Sequence, residues 1–225
     1  MSRASQLSAK IESRDFLVAV FGLGYVGLPL AVEFANRGIS VVGIDVDPEK
    51  IAILDGGGNY IQDLDDSVVA GHVSSGLLKA GTDASVVADA DVIYICVPTP
   101  FTANKEPDIS YIESATASTA EYLRAGQCVI IKSTTFPTTT TRYVQPILER
   151  SGLAIGEDFW LAFSPERIDP GNKTWHTGNT PIVVGGVTED CTRIAAAANR
   201  AIIDHVHEVG SPEVAEMEKL LENIF

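Results

Sequence analysis

Three glycines are spaced so that the backbone around them can bind a phosphate group. Gly22, Gly24 and Gly27 follow a short apolar run and precede a segment with helical spacing. In such a turn the first glycine permits the bend, the second lets a pyrophosphate approach the backbone, and the third allows the helix to pack closely on the strand. Free N–H groups at the helix start then bind the anion. The pattern predicts a dinucleotide-binding turn; its alternative is a purely structural glycine turn.

An acidic residue follows where this kind of site requires one. Asp45 closes the second predicted strand, and a carboxylate there accepts hydrogen bonds from the ribose hydroxyls of adenosine and repels a 2′-phosphate. We therefore predict NAD rather than NADP as the cofactor. The alternative role for Asp45 is a helix cap, for which Asp47 is better placed. Lys50 is a further candidate for ribose or phosphate contact, although a lone helical lysine is more often solvated.

The elements that must position these residues alternate between short apolar runs and segments of helical spacing. Strands joined by helices of about 10–15 residues form βαβ units. We predict an α/β fold with a doubly wound, Rossmann-like parallel sheet. The predicted strands are 16–21, 40–44, 91–96, 127–132, 159–163, 182–184 and 205–209. The predicted helices are 28–36, 48–54, 67–78, 110–123, 138–150, 189–202 and one that begins at 211–213.

The sequence divides into three predicted segments. Residues 1–15 are polar, lack an apolar run and are expected to be a flexible arm. Residues 16–210 form the dinucleotide-binding domain. Residues 211–225 start a long connecting helix, with Ser211 and Pro212 as its start signals and no stop signal at the last residue. We therefore expect the chain to be one half of a larger protein.

Charge and composition limit the classes of partner. The 225 residues include 16 Lys and Arg against 30 Asp and Glu, which gives a net charge of −14 at pH 7. Such a chain repels nucleic acids and anionic membranes. The longest apolar run, at 92–97, is far shorter than the ~20 residues of a membrane span. The three cysteines are widely spaced, which favours a reducing cytoplasm. No metal site is predicted, since His205 and His207 have no third ligand nearby.

Five motifs together resemble the UDP-glucose/GDP-mannose dehydrogenase family, and the likeness runs from about residue 16 to 225. The segments at 106–111 and 164–172 are most similar to the branch that oxidises UDP-N-acetylhexosamines such as UDP-N-acetylglucosamine. The motifs are GLGYVGLPL at 22–30, CVPTP at 96–100, EPDISY at 106–111, STT at 133–135 and SPERIDPGN at 164–172.

The resemblance implies an enzyme that oxidises the C6 alcohol of a UDP-sugar to a carboxylate with two NAD⁺. In that family a cysteine captures the intermediate aldehyde and forms a thioester, which water hydrolyses. The resemblance also implies a homodimer formed through the central helix, and a cytoplasmic enzyme of polysaccharide biosynthesis. One domain holds NAD and the other holds the sugar nucleotide, and their closure excludes water from the hydride step.

The resemblance assigns cofactor contacts to several residues. Tyr25 and Val26 would offer backbone N–H groups to the pyrophosphate. Pro98 and Thr99 would line the NAD site at the end of a strand. Thr134 would hold a catalytic water and touch NAD. Without the resemblance, Thr99 is equally well a turn residue between two prolines, and Thr134 a helix cap.

The resemblance also assigns catalytic and substrate contacts. Glu166 would lie beside the reacting C6 and accept a proton, directly or through the water held by Thr134. Arg167 would contact the substrate. Lys219 would stabilise the developing oxyanion and Asn223, one helical turn away, would orient the water or alkoxide. Without the resemblance, Glu166 is a solvated loop residue and Lys219 a salt-bridged surface lysine.

The sequence departs from the family pattern in three ways. The nucleophilic cysteine of the family lies well downstream of the Lys219 helix, and Cys96, Cys128 and Cys191 do not match it. The chain on its own is therefore expected to bind NAD but to complete no turnover. Lys132 stands where this branch often has an acid. Thr138 stands where it often has glycine.

Three alternatives remain open. The whole protein could be a UDP-glucose 6-dehydrogenase, since the sequence does not identify the sugar. It could be a β-hydroxyacid-type dehydrogenase, which uses one NAD and no cysteine but gives no role to Lys219 and Asn223. The chain could also be a non-catalytic NAD-binding module.

Overall fold

Eight short strands form one sheet at the centre of the molecule. The computed structural model describes residues 2–102, 105–167 and 177–224, and for 223 and 224 the backbone alone. The strands are β1 (Leu17–Phe21), β2 (Ser40–Ile44), β3 (Leu78–Gly81), β4 (Val92–Ile95), β5 (Cys128–Ile131), β6 (Trp160–Phe163), β7 (Ile182–Gly186) and β8 (Val206–Val209). The helices are α1 (Arg3–Glu12), α2 (Gly27–Asn36), α3 (Pro48–Asp55), α4 (Asp66–Ser75), α5 (Ser110–Tyr122), α6 (Gln145–Leu148), α7 (Glu189–Arg200) and α8 (Pro212–Ile224).

The strand order confirms the doubly wound α/β fold. The order is β3-β2-β1-β4-β5-β6-β7-β8, so the chain winds outward from β1 in both directions. All neighbours from β3 to β6 are parallel. Strand β7 departs from the expected parallel sheet: it enters at the edge where β6 ends, and runs back antiparallel to it. The strand order reverses between β1 and β4, which is where open α/β sheets bind ligands.

Both faces of the sheet are covered by helices. Successive residues of β1 point to opposite faces. Val18 and Val20 join one core cluster, together with residues of α1, α2 and α7. Ala19 and Phe21 join the other, together with residues of α5, α6 and α8. Burial on both faces explains why the strands are continuous apolar runs rather than alternating ones.

Helix α1 occupies most of the segment 1–15 that the sequence predicts as a flexible arm. Its Leu7 and Ile11 are buried and the helix contacts α7. The ammonium of Lys10 lies 2.9 Å from the buried carboxylate of Asp91. The expectation of a flexible arm is therefore wrong for these residues. One apolar pair with i, i+4 spacing is enough to dock this short helix, although it gives too weak a periodic signal to predict one.

The predicted helix over 67–78 is shorter in the structure and is followed by a strand. Gly76 adopts a left-handed conformation, with φ of 78°, and caps α4. Leu78 and the next three residues then form β3, which pairs in parallel with β2 at the edge of the sheet. This strand contains only one buried side chain, Leu78, so its sequence carries no apolar run.

The segment 138–150, predicted as one helix, is irregular. A π-helical turn over Thr140–Val144 precedes α6, and a 3₁₀ turn over Glu149–Ser151 follows it. Pro146 has no N–H group and cannot continue the regular α-helical hydrogen bonding. The segment is therefore helical over 140–151 but is not one regular α-helix.

The helices of this fold are short. Within the described ranges, no helix is both long and apolar enough to cross one. The longest helices, α5 and α8, have 13 residues each, against the ~20 residues that a span requires.

Candidate active site

The glycine turn lies between the carboxyl ends of β1 and β2. The N–H group of Gly22 donates to the carbonyl of Ile44 at 2.8 Å, and its φ of 83° is one that residues other than glycine rarely adopt. A side chain at Gly27 would place its Cβ 1.8 Å from the carbonyl oxygen of Gly22. At Gly24, by contrast, an added Cβ would meet no atom within 4 Å. Open space beside the second glycine is what a pyrophosphate needs in order to approach the backbone.

Asp45 joins the glycine turn to the second strand. Its carboxylate is only 7% exposed and accepts hydrogen bonds from the N–H of Leu23 at 2.8 Å and from that of Asp47 at 3.0 Å. The ammonium of Lys50 lies 3.0 Å from the same carboxylate. The structure therefore brings Asp45 and Lys50 together beside the turn. Asp47 caps α3 by accepting from the N–H of Glu49, so Asp45 is free of that structural role.

Tyr60 supports the turn from outside the glycine motif. Its hydroxyl donates to the carbonyl of Leu23 at 2.8 Å. Burial and, to a smaller extent, the carboxylates of Asp45 and Asp47 raise the pKa of the Tyr60 hydroxyl above its usual value. Tyr60 therefore stays protonated and remains a hydrogen-bond donor at neutral pH. Sequence analysis missed this contact, because Tyr60 lies in a loop with no pattern that relates it to Leu23.

The loops after β4 and β5 are bonded to each other at the same edge. The hydroxyl of Thr99 donates to the carbonyl of Thr134 at 2.7 Å, and the hydroxyl of Ser133 donates to the carbonyl of Val97 at 2.7 Å. Pro98 lies between these contacts in the chain. Thr134 is partly buried and its carbonyl is held, so it is fixed by tertiary contact rather than by a helix cap. The two loops therefore lie side by side, and a Cβ added to Gly22 of the glycine turn would lie 3.2 Å from the Cα of Val97.

Glu166 lies in the interior at the end of β6. The residue is 6% exposed, and one carboxylate oxygen accepts from the N–H of Arg167 at 2.8 Å. The other oxygen is 3.6 Å from the ammonium of Lys132, whose side chain is fully buried. The alternative of a solvated loop glutamate is excluded. Burial raises the pKa of the neighbouring Cys96 thiol to about 12 and Lys132 only partly opposes this, so Cys96 is a poor nucleophile at neutral pH.

Helix α8 reaches this edge through Arg167. The guanidinium of Arg167 binds the carboxylate of Glu222 and lies 3.9 Å from that of Glu218. The ammonium of Lys219, whose side chain is 12% exposed, lies 3.3 Å from the other oxygen of Glu222. Lys219 is therefore ion-paired, as expected for a salt-bridged surface lysine. Its side chain is largely covered, however, so it is not a solvated surface residue. The carboxylate of Glu222 thus brings the side chains of Arg167 and Lys219 together.

The start of α8 is fixed to the loop that follows Thr134. Glu216 is fully buried, and its carboxylate accepts from the N–H groups of Thr138 and Thr140 at 2.6 and 2.8 Å and from the hydroxyl of Thr140 at 2.7 Å. Thr138 has a φ of 80°, a strained conformation for a β-branched residue. These bonds set the distance between the helix that carries Lys219 and the loop that carries Thr134.

Some predicted residues fall outside what the structure describes. The backbone of Asn223 lies in α8, but its side chain is outside the described atoms, and so is the segment 168–172 of the fifth motif. Other residues that shape the site gave little signal in the sequence. Glu216 and Glu222 are acids on an acidic helix, and only the spacing of Glu222 from Lys219 indicates a contact. The burial of Lys132 has no sequence signal at all.

A known protein family matches most of this chain. The family model described as UDP-glucose/GDP-mannose dehydrogenase family, NAD binding domain, matches residues 16–203. The chain belongs to this family. It carries the NAD-binding domain of these NAD-dependent dehydrogenases, and the open space at Gly24 and the buried carboxylate of Asp45 fit that cofactor. The resemblance inferred from the five motifs, and the cofactor inferred from Asp45, are confirmed.

Individual relatives are similar over nearly the whole chain. A UDP-N-acetyl-D-glucosamine 6-dehydrogenase of Pseudomonas aeruginosa is 36% identical over 93% of this chain and 49% of its own length. A UDP-N-acetyl-D-mannosamine dehydrogenase of Pyrococcus horikoshii is 35% identical over 92% and 50%. The structure of a UDP-N-acetyl-mannosamine dehydrogenase from Staphylococcus aureus superposes with a TM-score of 0.85 at 34% identity, over 92% of this chain and 50% of that one. The chain thus spans about half the length of these relatives.

Proposed function

We propose that this domain is the NAD-binding half of a UDP-N-acetylhexosamine 6-dehydrogenase, which oxidises a sugar C6 alcohol to a carboxylate. One observation supports the proposal: three separate elements supply groups suited to acid–base and oxyanion chemistry, and two of these elements, β5 and β6, are parallel neighbours in the sheet. Thr134 follows β5, Glu166 follows β6, and Lys219 comes from α8 through its shared contact with Arg167. A non-catalytic NAD-binding module would have no need for this assembly.

The residues divide the chemistry between them. When bound, NAD⁺ accepts the hydride that leaves C6. Glu166 takes the proton of the C6 hydroxyl, directly or through a water held by Thr134. Its burial keeps competing water away from the carboxylate, and the N–H of Arg167 fixes the orientation of one of its oxygens.

The cations near α8 stabilise negative charge that develops on the substrate. Lys219 donates to the oxyanion at C6, and Asn223, one turn further along the helix, orients the water or alkoxide. Arg167 contacts the sugar nucleotide. The carboxylate of Glu222 pairs with both Arg167 and Lys219, so an anionic group of the substrate must compete with it for these cations.

The substrate class follows from the relatives. The two curated relatives described above are named for UDP-N-acetyl-D-glucosamine and UDP-N-acetyl-D-mannosamine. The second oxidation to a carboxylate needs a nucleophilic thiol, and the free cysteines of this chain, Cys96, Cys128 and Cys191, are all buried. The thiol therefore comes from the second half that the relatives contain, and the 225-residue chain alone completes no turnover.

The proposal is tested by the stoichiometry of the whole dehydrogenase. The protein that contains this domain and its second half is incubated with UDP-N-acetylglucosamine, UDP-N-acetylmannosamine or UDP-glucose, and the NADH formed per sugar consumed is counted. Two NADH per UDP-N-acetylhexosamine support the proposal. One NADH per substrate supports a single-step dehydrogenase. A preference for UDP-glucose would replace the sugar in the proposal but keep the reaction.

We further propose that the whole enzyme is a cytoplasmic homodimer that associates through α8. Val214, Met217 and Leu221 lie on one face of this helix and are 51%, 45% and 49% exposed. The opposite face, with Ala215 and Glu216, packs on the domain. An apolar stripe on the outer face of the helix supports association with a second copy. The free thiols favour a reducing compartment.

A further inference from the structure

Lys132 has an unusual position for a lysine. Its side chain is fully buried at the end of β5, whereas lysine is almost never fully buried unless it is paired. The structure gives the ammonium two polar partners among the described residues. One is the carbonyl oxygen of Ser164 at 3.3 Å, and the other is the Glu166 carboxylate at 3.6 Å. A buried ammonium with so few partners is costly, so a purely structural role explains it poorly.

One of the two carboxylate oxygens of Glu166 has Lys132 as its charged partner. One of its oxygens accepts from the N–H of Arg167, but the other is buried and has no hydrogen-bond partner. Among the described residues, the ammonium of Lys132 forms the ion pair with that second oxygen. A main-chain N–H group therefore binds one oxygen, and a buried side-chain ammonium pairs with the other.

The ion pair lies next to the glycine turn. The charges of both Lys132 and Glu166 act on the buried thiol of Cys96. A Cβ added to Gly27 would lie 3.2 Å from the Cβ of Cys96. Cys96 therefore packs against the glycine turn and lies within electrostatic range of the ion pair.

We propose that Lys132 is a positioning residue for Glu166: its buried ammonium fixes the second carboxylate oxygen, so that the carboxylate faces the reacting edge in one orientation. This inference rests on the proposed function for the role of Glu166 in proton transfer. The pairing itself is a property of this domain and can be measured without turnover. Lys132 does not touch the substrate or take up the proton.

The first experiment measures the orientation of Glu166 in the 225-residue chain. The N–H of Arg167 reports on it, because that group donates to the Glu166 carboxylate. In Lys132→Met we expect the Arg167 amide signal to shift and its hydrogen exchange to become about tenfold faster, as for the loss of one hydrogen bond. Lys132→Arg, which keeps the charge, should restore much of the protection. Lys10→Met removes a lysine from another ion pair and should leave the Arg167 signal unchanged.

A double variant covers the case in which Lys132→Met does not fold. Removing one member of a buried pair leaves an uncompensated charge, whereas neutralising both members relieves it. Lys132→Met with Glu166→Gln should therefore recover the stability that Lys132→Met loses. The proposal is overturned if Lys132→Met folds with an unchanged Arg167 amide, if Lys10→Met changes that amide as much, or if the double variant is no more stable than Lys132→Met.

The second experiment measures turnover in the whole dehydrogenase. Lys132→Met should lower kcat about 10²-fold, the low end of what a well-placed general base contributes, with little change in the KM for the UDP-sugar. Lys132→Arg should recover part of the rate. A rise in KM with kcat unchanged would contradict a positioning role. If the unmodified protein forms no uronate, the proposed function fails, while the Arg167 amide still decides the role of Lys132.

Discussion

At the scale of single residues, two glycines of the same turn differ in the space around them. Substitutions at these two positions can therefore separate an effect on folding from an effect on cofactor binding. We expect Gly24→Ala to leave the free energy of unfolding unchanged or raised by up to ~1 kcal/mol, because its Cβ meets no atom. The same methyl group fills the space that a pyrophosphate needs, so the affinity for NAD⁺ should fall about tenfold or more. Calorimetric titration and denaturant unfolding measure the two quantities.

Gly27→Ala is the matched control for that prediction. Its Cβ would lie 1.8 Å from the carbonyl oxygen of Gly22, so this variant should lose stability by about 3 kcal/mol or fail to fold. Equal behaviour of the two variants in both measurements would show that the space at Gly24 has no role in binding.

Some single residues of the site could be predicted from the sequence and others could not. The glycine turn and Asp45 were predictable because each has a fixed spacing that follows from backbone chemistry. The pairing of Lys132 with Glu166 was not, because the two residues come from different strands and burial of a lysine runs against its usual preference. Tyr60 was missed for a similar reason: only the tertiary fold brings its hydroxyl to the carbonyl of Leu23.

At the scale of the elements, the docking of α1 on the domain depends on its one buried apolar pair. Leu7 and Ile11 are 2% and 4% exposed, so Leu7→Ala or Ile11→Ala should lower the free energy of unfolding by about 2–4 kcal/mol. Gln6→Ala, at an exposed position of the same helix, should change it by less than ~0.5 kcal/mol. Thermal unfolding of the three variants measures this. Unchanged stability in the Leu7 and Ile11 variants would restore the expectation of a flexible arm.

Helix α8 gives the stability of the domain a pH dependence through Glu216. Burial outweighs the hydrogen bonds from Thr140 and Thr138 and raises the pKa of Glu216 above its ordinary 4.5. A carboxyl with a raised pKa in the folded state stabilises the fold fully below pH 4.5, and this contribution is lost as the pH rises through the folded-state value. Glu216→Gln cannot titrate, so we expect it to weaken the fall in stability in that range, measured by denaturant unfolding at several pH values.

A second carboxyl on the same helix provides the control. Burial raises the pKa of Glu213, but hydrogen bonds from Thr141 and Ser211 outweigh this and hold it below the usual value. Its contribution is therefore present at neutral pH and lost as the pH falls. Glu213→Gln should change the acidic side of the profile alone. If Glu216→Gln keeps the slope of the unmodified chain above pH 4.5, the account of α8 is wrong.

Element types were predictable where a strong pattern and a stop signal coincide. The strands β1 and β2 and helices α2 and α3 agree with their predicted positions because each is an apolar or amphipathic run closed by glycine, an acid or a capping residue. The prediction of one helix over 138–150 was wrong, because the helical pattern carries no information on the combined effect of Pro146 and the strained Thr138. Strand β3 was missed because an edge strand needs little apolar surface.

On the scale of the whole molecule, this chain is strongly acidic, although we expect it to bind a cofactor that is itself an anion. Its net charge is −14, so the mean field around the protein repels phosphate. We expect backbone N–H groups at the start of α2 and the ammonium of Lys50 to supply the local attraction instead. The doubly wound topology brings these groups and the candidate catalytic residues to one edge of the sheet. The topology was predictable from the alternation of elements, whereas the return of α8 to this edge was not.

The most direct test of the account is a titration of this chain with NAD⁺ and NADP⁺ by calorimetry. The buried carboxylate of Asp45 beside the glycine turn should accept the ribose hydroxyls of NAD⁺ and repel the 2′-phosphate of NADP⁺. The account predicts saturable binding of one NAD⁺ per chain and an affinity for NADP⁺ at least about tenfold weaker. No binding of NAD⁺, or a preference for NADP⁺, would contradict it.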